Sequence, residues 1–175
     1  MKLEPGIPPI LSERLELRGF QPSDLPGYVA YYTGKRTTGV GGPLQPHQAF
    51  ERFCAMIGHW SVRGFGRYAI ADRFGGPAFG HVGPMQLDAH SDPEMTWTIW
   101  DEAKTGRGLA TEAAQAVLDN LYAKGWTRLL AYIDRDNAAS LRMAKRLGAV
   151  EDPTIPVPDF LSNTRRFVLR PKVAA

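Results

Sequence analysis

The stretch KTGRGLATEA, Lys104 to Ala113, constrains this chain more than any other. Two glycines flank an arginine, and an alanine-rich run with one glutamate begins at once. The residues before it, EMTWTIW (Glu94 to Trp100), read as a strand, and those after it as a helix from about Leu109 to Lys124. The first amides of a helix have no partner inside it, and its dipole adds partial positive charge at that end. Gly106 and Gly108 can take backbone angles other residues avoid, leaving room for an anion to touch the amides from Gly106 through Leu109 and Ala110 to Thr111. Lys104 and Arg107 add mobile positive charge, and Thr105 and Thr111 add hydroxyl donors, a set that suits a pyrophosphate. A tight strand-to-helix turn without a ligand is the competing account, since short glycine motifs recur by chance. Two familiar phosphate loops are excluded: the dinucleotide fingerprint needs a third glycine where this chain has Thr111, and no G-x-x-x-x-G-K-[ST] occurs.

Around this turn the pattern is that of one mixed α/β domain, residues 1–175 with a core of about 12–171. RLELRGF alternates Leu15 and Leu17 with charged residues, as a half-buried strand does, and Ser23 stands where a helix cap would precede Tyr28, Tyr31 and Tyr32. Phe50, Phe53, Cys54, Ile57 and Trp60 recur at helical spacing and predict the buried face of a second helix, with Cys54 an inert buried thiol. RYAIAD, PAFGHVGPMQL and EMTWTIW predict three successive strands. The helix after the glycine turn is expected to bury Ala110, Ala113, Ala114, Val117, Leu118 and Leu121. RLLAYID then suits a buried strand, NAASLRMAKRLGA a short helix stopped at Gly148, and RRFVLR a last strand.

Composition narrows the class of function. Met1 to Trp100 carries nine charges of each sign, so the whole excess of +3 lies in Asp101 to Ala175, too weak for a nucleic-acid footprint but enough for a small polyanion. No apolar run reaches the length of a membrane span, and MKLEPGIPPI lacks the apolar stretch of a signal peptide, so a cytoplasmic protein is expected. Cys54 is the one cysteine, which removes internal disulfides and multi-cysteine zinc sites.

Taken in order, EMTWTIW, GRGLATEA and IDRDNAASLRMAKRLGA resemble the GCN5-related N-acetyltransferase (GNAT) superfamily. DNAASLRMAKRLGA and SERLELRGFQPSDL are similar to its branch that acetylates N-termini of ribosomal proteins, and GFGRYAIAD with GGPAFGHVG fits that branch's central hairpin. The resemblance implies a mostly antiparallel central sheet flanked by helices, with splayed strands forming an acetyl-CoA groove. It implies acetyl transfer from acetyl-CoA to a primary amine, either a protein N-terminus or a small molecule, with no metal and no membrane or nucleic-acid partner. A homodimer stays open.

The resemblance also implies roles for residues. The coenzyme A diphosphate would lie on Gly106 to Thr111, and the pantetheine along the main chain at Ile99 and Trp100. Asn137 would hydrogen-bond the pantetheine; it is also a natural helix N-cap, and one side chain can do both. Glu94 is the candidate base that takes a proton from the amine, against the simpler role of a solvated glutamate after Pro93. The thioester oxygen needs a main-chain N–H near Trp97 to Ile99. Many relatives place a proton-donating tyrosine where this chain has Ala144, so Ser140 is the substitute, unless it only bonds its own helix. Arg142, Lys145 and Arg146 are a solvated face or a contact for the 3′-phosphate, and Trp97 packs or borders the acceptor. Asp88, His90, Asp92 and Glu94 alternate as metal ligands would, but turn residues crowd for other reasons. The loop GVGGPLQP is a candidate substrate entrance. The missing tyrosine keeps a non-catalytic acyl-CoA sensor as the alternative.

Overall fold

The structure, a computed structural model, describes residues 6–37, 41–89, 91–159 and 161–171. One sheet holds β1 (Ile10–Leu11), β2 (Leu15–Arg18), β3 (Tyr68–Asp72), β4 (Gly80–Met85), β5 (Glu94–Ile99), β6 (Leu129–Asp134), β7 (Val150–Glu151) and β8 (Thr164–Leu169). Their order is β1-β2-β3-β4-β5-β6-β8-β7, and every neighbouring pair is antiparallel except β5 with β6. A parallel pair needs a crossover, and α3 (Leu109–Ala123) supplies it. The other helices are α1 (Leu25–Tyr32), α2 (Pro46–Arg63) and α4 (Ala138–Arg146). This is the mixed, mostly antiparallel architecture that the resemblance implied.

Alternation along the strands divides the core in two. Leu15, Leu17, Ile70, Phe79, Val82 and Met95 face α3 and α4, meeting Val117, Leu118, Leu121, Met143 and Ala144. On the other face, Ala69, Ala78 and Trp100 meet Tyr28 and Tyr32 of α1 and Ala49, Phe53 and Met56 of α2. Burying each of the large apolar side chains stabilises by about 1.5–3 kcal/mol.

Three local expectations are corrected. On α2 the buried stripe is Ala49, Phe53 and Met56, whereas Phe50 and Ile57 are 52% and 43% exposed and Cys54 is exposed. The stripe is chosen by α1: the Phe53 ring packs 5.3 Å from Tyr28 and 5.4 Å from Phe20, turning the Phe50–Cys54–Ile57 side outward. Ser23 is no cap, because Pro22–Asp24 form a 3₁₀ turn. Asp24 organises that entry, accepting bonds from both terminal nitrogens of Arg18 and from the amides of Gln21 and Ala78. In α3, Leu109 is buried where Ala110 is only half-buried, since the helix starts at Leu109 and its first residue already meets the sheet. The strands β1 and β7 are two residues each, too short to show alternation. Among the described residues no helix is long and apolar enough to cross a membrane.

Candidate active site

The glycine turn leaves the first amides of α3 open. Gly108 is the N-cap of α3 with φ 78°, a left-handed angle that a side chain disfavours, and no side chain caps the helix. Glu112 is the first α3 residue whose amide finds an acceptor, the Gly108 carbonyl. Among the described residues, no main-chain N–H from Gly106 to Thr111 has a partner outside the protein's own helix, so Leu109, Ala110 and Thr111 point theirs outward. Arg107 is exposed at the turn. Lys104 is drawn away: its ammonium lies 2.8 Å from Asp72 and over the Phe79 ring, beside a recess of about 510 Å³ under α1. Thr105 takes a bond from Arg36 at 3.3 Å.

The seam next to the turn is where β5 and β6 part. Their ladder registers only at Glu94 with Leu130, where the Leu130 N–H also reaches the Pro93 carbonyl at 2.9 Å. Past that point β5 has β4 on one side and open space on the other. Backbone groups alternate sides along a strand, so Trp97 and Ile99 turn theirs into the seam. Trp100 does not. Its N–H donates to the Phe79 carbonyl at 2.7 Å and its own carbonyl accepts from Arg36 at 2.8 Å.

Across the seam, Asn137 caps α4, its side-chain oxygen accepting from the Ser140 amide at 3.0 Å. The cap leaves the Asn137 NH₂ without a partner among the described residues. The Ser140 hydroxyl oxygen accepts from the Trp97 indole N–H at 3.2 Å, leaving its own proton free to be donated. Ala144 is fully buried in the core and brings no functional group to the seam. Arg142, Lys145 and Arg146 are exposed.

Glu94 sits at the bottom of the seam, half-buried, where the strands begin to diverge. Burial pushes its carboxyl up to about 7, against the pull of Arg67 and of a bond from the Tyr132 amide. A carboxyl with that affinity can hold or release a proton at neutral pH. Arg67 reaches this region from just before β3. Gly83 lets it approach: a side-chain carbon there would stand 3.0 Å from the Arg67 Cα.

The other candidates stay apart from this seam. Asp92 pairs with Arg128 at 3.0 Å, Ser91 bonds the Asp88 carbonyl, and His90 lies outside the described residues. Among the described residues no three His, Cys, Asp or Glu side chains gather as metal ligands. His59 bridges the Phe65 carbonyl and the Gln86 amide, and His81 accepts the Trp100 indole proton. The entrance loop GVGGPLQP includes residues outside those described.

Two supports of the turn are absent from the sequence reading. Glu112 accepts from the Ser12 hydroxyl, the Arg14 amide and the Arg14 side chain at 2.7–2.9 Å, and Arg14 also bonds the Arg107 carbonyl. Arg36 braces the opposite side through Trp100 and Thr105. These pairs are separated by 64 to 100 residues, so no local spacing announces them.

Residues 14–150 match the description of the acetyltransferase (GNAT) domain family. An acetyltransferase from Agrobacterium tumefaciens is 29% identical, with a TM-score of 0.86, the match covering 98% of this chain and 99% of that one. A ribosomal L7/L12 alpha-N-protein acetyltransferase, solved in complex with coenzyme A, is 18% identical with a TM-score of 0.75, covering 93% of this chain and 98% of that one. Among curated proteins, a formamidopyrimidine-DNA glycosylase of Thermomicrobium roseum is 32% identical over 84 residues. That segment is 46% of this chain and spans 29% of the glycosylase, less than a third of its length.

Proposed function

The chain belongs to the GNAT acetyltransferase family, and from that premise we propose that it moves an acetyl group from acetyl-CoA directly to a primary amine, a protein N-terminal α-amine being the favoured acceptor. The observation that carries this reading is the seam itself. It has a row of amides at Gly106–Thr111 with no partner among the described residues at one end, and at the other a carboxyl that burial pushes up to about 7. The choice of acceptor is supported by the similarity to the ribosomal L7/L12 alpha-N-protein acetyltransferase, whose name states such an acceptor.

The residues present fit coenzyme A. Free amides at a helix start bind a diphosphate without a metal, and the open backbone of Trp97 and Ile99 offers an extended amide chain the partners that β6 withholds. The Asn137 NH₂ is free to donate to the same chain. Acetyl-CoA supplies the acetyl group as an activated thioester. Glu94 takes the proton from the attacking amine; an α-amine, with a pKa of roughly 7.7–8, gives up its proton to such a base readily. The Trp97 or Ile99 N–H, fixed in a strand, stabilises the oxygen where charge grows. Ser140 donates its free proton to the departing sulfur, its oxygen held by Trp97.

The test is release of free thiol from acetyl-CoA with peptides carrying a free N-terminus, beside the same peptides blocked there but carrying lysine. Release with free N-termini and loss in Glu94→Gln supports the reading. Equal rates on blocked and free peptides would reject the α-amine as acceptor.

A further inference from the structure

On the α1–α2 face of the sheet, Arg67 stands within electrostatic reach of Glu94 and of a second arginine, Arg52, and neither arginine has an ion-pair partner among the described residues. Arg52 of α2 lies over the Tyr32 ring, 5.0 Å from its centre, and Arg67 rises from the floor within electrostatic reach of Tyr28, Tyr32, Arg52 and Glu94. None of the ion pairs among the described residues includes either one. Among the described residues neither donates a side-chain hydrogen bond, although Arg18, Arg14, Arg36 and Arg165 all do. Both are half-buried, and burial pulls Arg67 below the ordinary arginine pKa.

The surroundings do not supply the missing negative charge. His81 is fully buried and burial, with both arginines, keeps it neutral. Tyr28 is fully buried against Tyr32, their ring centres 4.5 Å apart, and burial keeps its hydroxyl protonated, so it supplies no charge either. Glu94 is the carboxyl coupled to Arg67, and as a base it must be free to exchange its proton rather than be held in an ion pair. A guanidinium held half-buried with no ion-pair or hydrogen-bond partner among the described residues is open to an anion brought by a ligand. The guanidinium fork matches a carboxylate in two-point contact, which an ammonium would not.

We propose that Arg67, backed by Arg52, binds a carboxylate carried by the acceptor close to its reacting amine. The preferred acceptors are then amino acids or peptides with an acidic first residue. This rests on acetyl transfer at Glu94 being the chain's activity. It adds a selection by charge that Arg67 imposes on one end of the acceptor while Glu94 addresses the other.

The experiment uses matched acceptors that differ in one carboxylate: alanine against alaninamide, and C-terminally amidated Asp-Ala-Ala against Asn-Ala-Ala. Thiol release gives kcat and KM for each, and calorimetry gives the acetyl-CoA Kd on the same samples. The carboxylate member of at least one pair is expected to be favoured tenfold or more in kcat/KM, and which pair responds separates a free amino acid from a peptide. Arg67→Gln should erase that preference within each pair through KM, compared at one alkaline pH because losing Arg67 also lifts the Glu94 pKa, with the acetyl-CoA Kd within twofold of wild type. Arg67→Lys should restore part of it. Should Arg67→Gln not fold, Arg52→Gln is expected to cut the preference in the same direction. Equal use of both members in every pair overturns the proposal while the acetyltransferase reading stands. Failure of folded wild type to bind acetyl-CoA overturns that reading, and this proposal with it.

Discussion

The indole N–H of Trp97 on β5 donates to the hydroxyl oxygen of Ser140 on α4, 3.2 Å away. It is a side-chain link across a seam where the backbones of β5 and β6 no longer pair. The bond fixes the serine oxygen and leaves its proton directed elsewhere, as an acid toward a leaving thiolate requires. Ser140→Ala is expected to lower kcat by about 10²-fold if that proton is used, within the range of general-acid effects. The acetyl-CoA KM should hardly move. A fall in kcat below twofold would leave the serine a structural role only.

Glu94 carries a prediction in pH. Burial raises its pKa to about 7, and Arg67 and Tyr132 are the charged or titratable groups that act on it from the neighbouring elements. As a base it works deprotonated, so kcat/KM should rise with pH through about 7 and then level off. Glu94→Gln should cost about 10²–10⁴ in rate and abolish that rise. A profile unchanged by the substitution would remove Glu94 from the reaction.

The same shift predicts a gain in stability from the same substitution. A carboxyl whose folded pKa lies above its unfolded value near 4.5 costs the fold nothing below pH 4.5 and progressively more up to pH 7. Glu94→Gln should therefore leave urea unfolding unchanged at pH 4 and stabilise at pH 8 by on the order of 2–3 kcal/mol. Destabilisation at pH 8 would mean the carboxylate is held by favourable bonds instead.

Asp24 has the opposite sign. Burial opposes its ionisation, but bonds from Arg18, Ala78 and Gln21 outweigh burial and hold its pKa below the usual value. Its contribution is present above the unfolded pKa and is lost as pH falls through the lower folded one. Asp24→Ala leaves Arg18, 7% exposed, without its charge partner and should cost about 3–5 kcal/mol at pH 7. A loss under 1 kcal/mol by denaturant titration would contradict this.

What was legible in the sequence had a local signature. Alternation marked Leu15 and Leu17, helical spacing marked Val117, Leu118 and Leu121, and Gly148, with φ 78°, ended α4 as expected. The glycine turn before α3 declared itself by composition. On α2, two adjacent apolar stripes compete, and only the position of Tyr28 decides that Phe53 goes in and Phe50 out. The backbone at Trp100 looked available because strand parity depends on its pairing with Phe79. Arg67 had no local mark at all: an arginine before a strand acquires its meaning from α1, α2 and β5 meeting above it.

Glu112 illustrates how that distance matters for the turn. Removing its carboxylate in Glu112→Ala breaks three bonds to Ser12 and Arg14, and with them the Arg14 brace on the Arg107 carbonyl. The expected result is a loss of about 1–3 kcal/mol, since an exposed pair contributes less than a buried one, together with a several-fold weaker acetyl-CoA affinity. Unchanged affinity would show that the turn holds its shape without this brace.

The most direct test of the central claim is an amide-resolved NMR titration of the ¹⁵N-labelled protein with coenzyme A. Saturable shifts concentrated at the amides of Gly106–Thr111 and at Trp97 and Ile99 are predicted, with the Trp100 amide, bonded to Phe79, moving little. No saturable binding, or shifts that avoid the Gly106–Thr111 amides, would contradict the assignment of this seam as the cofactor site.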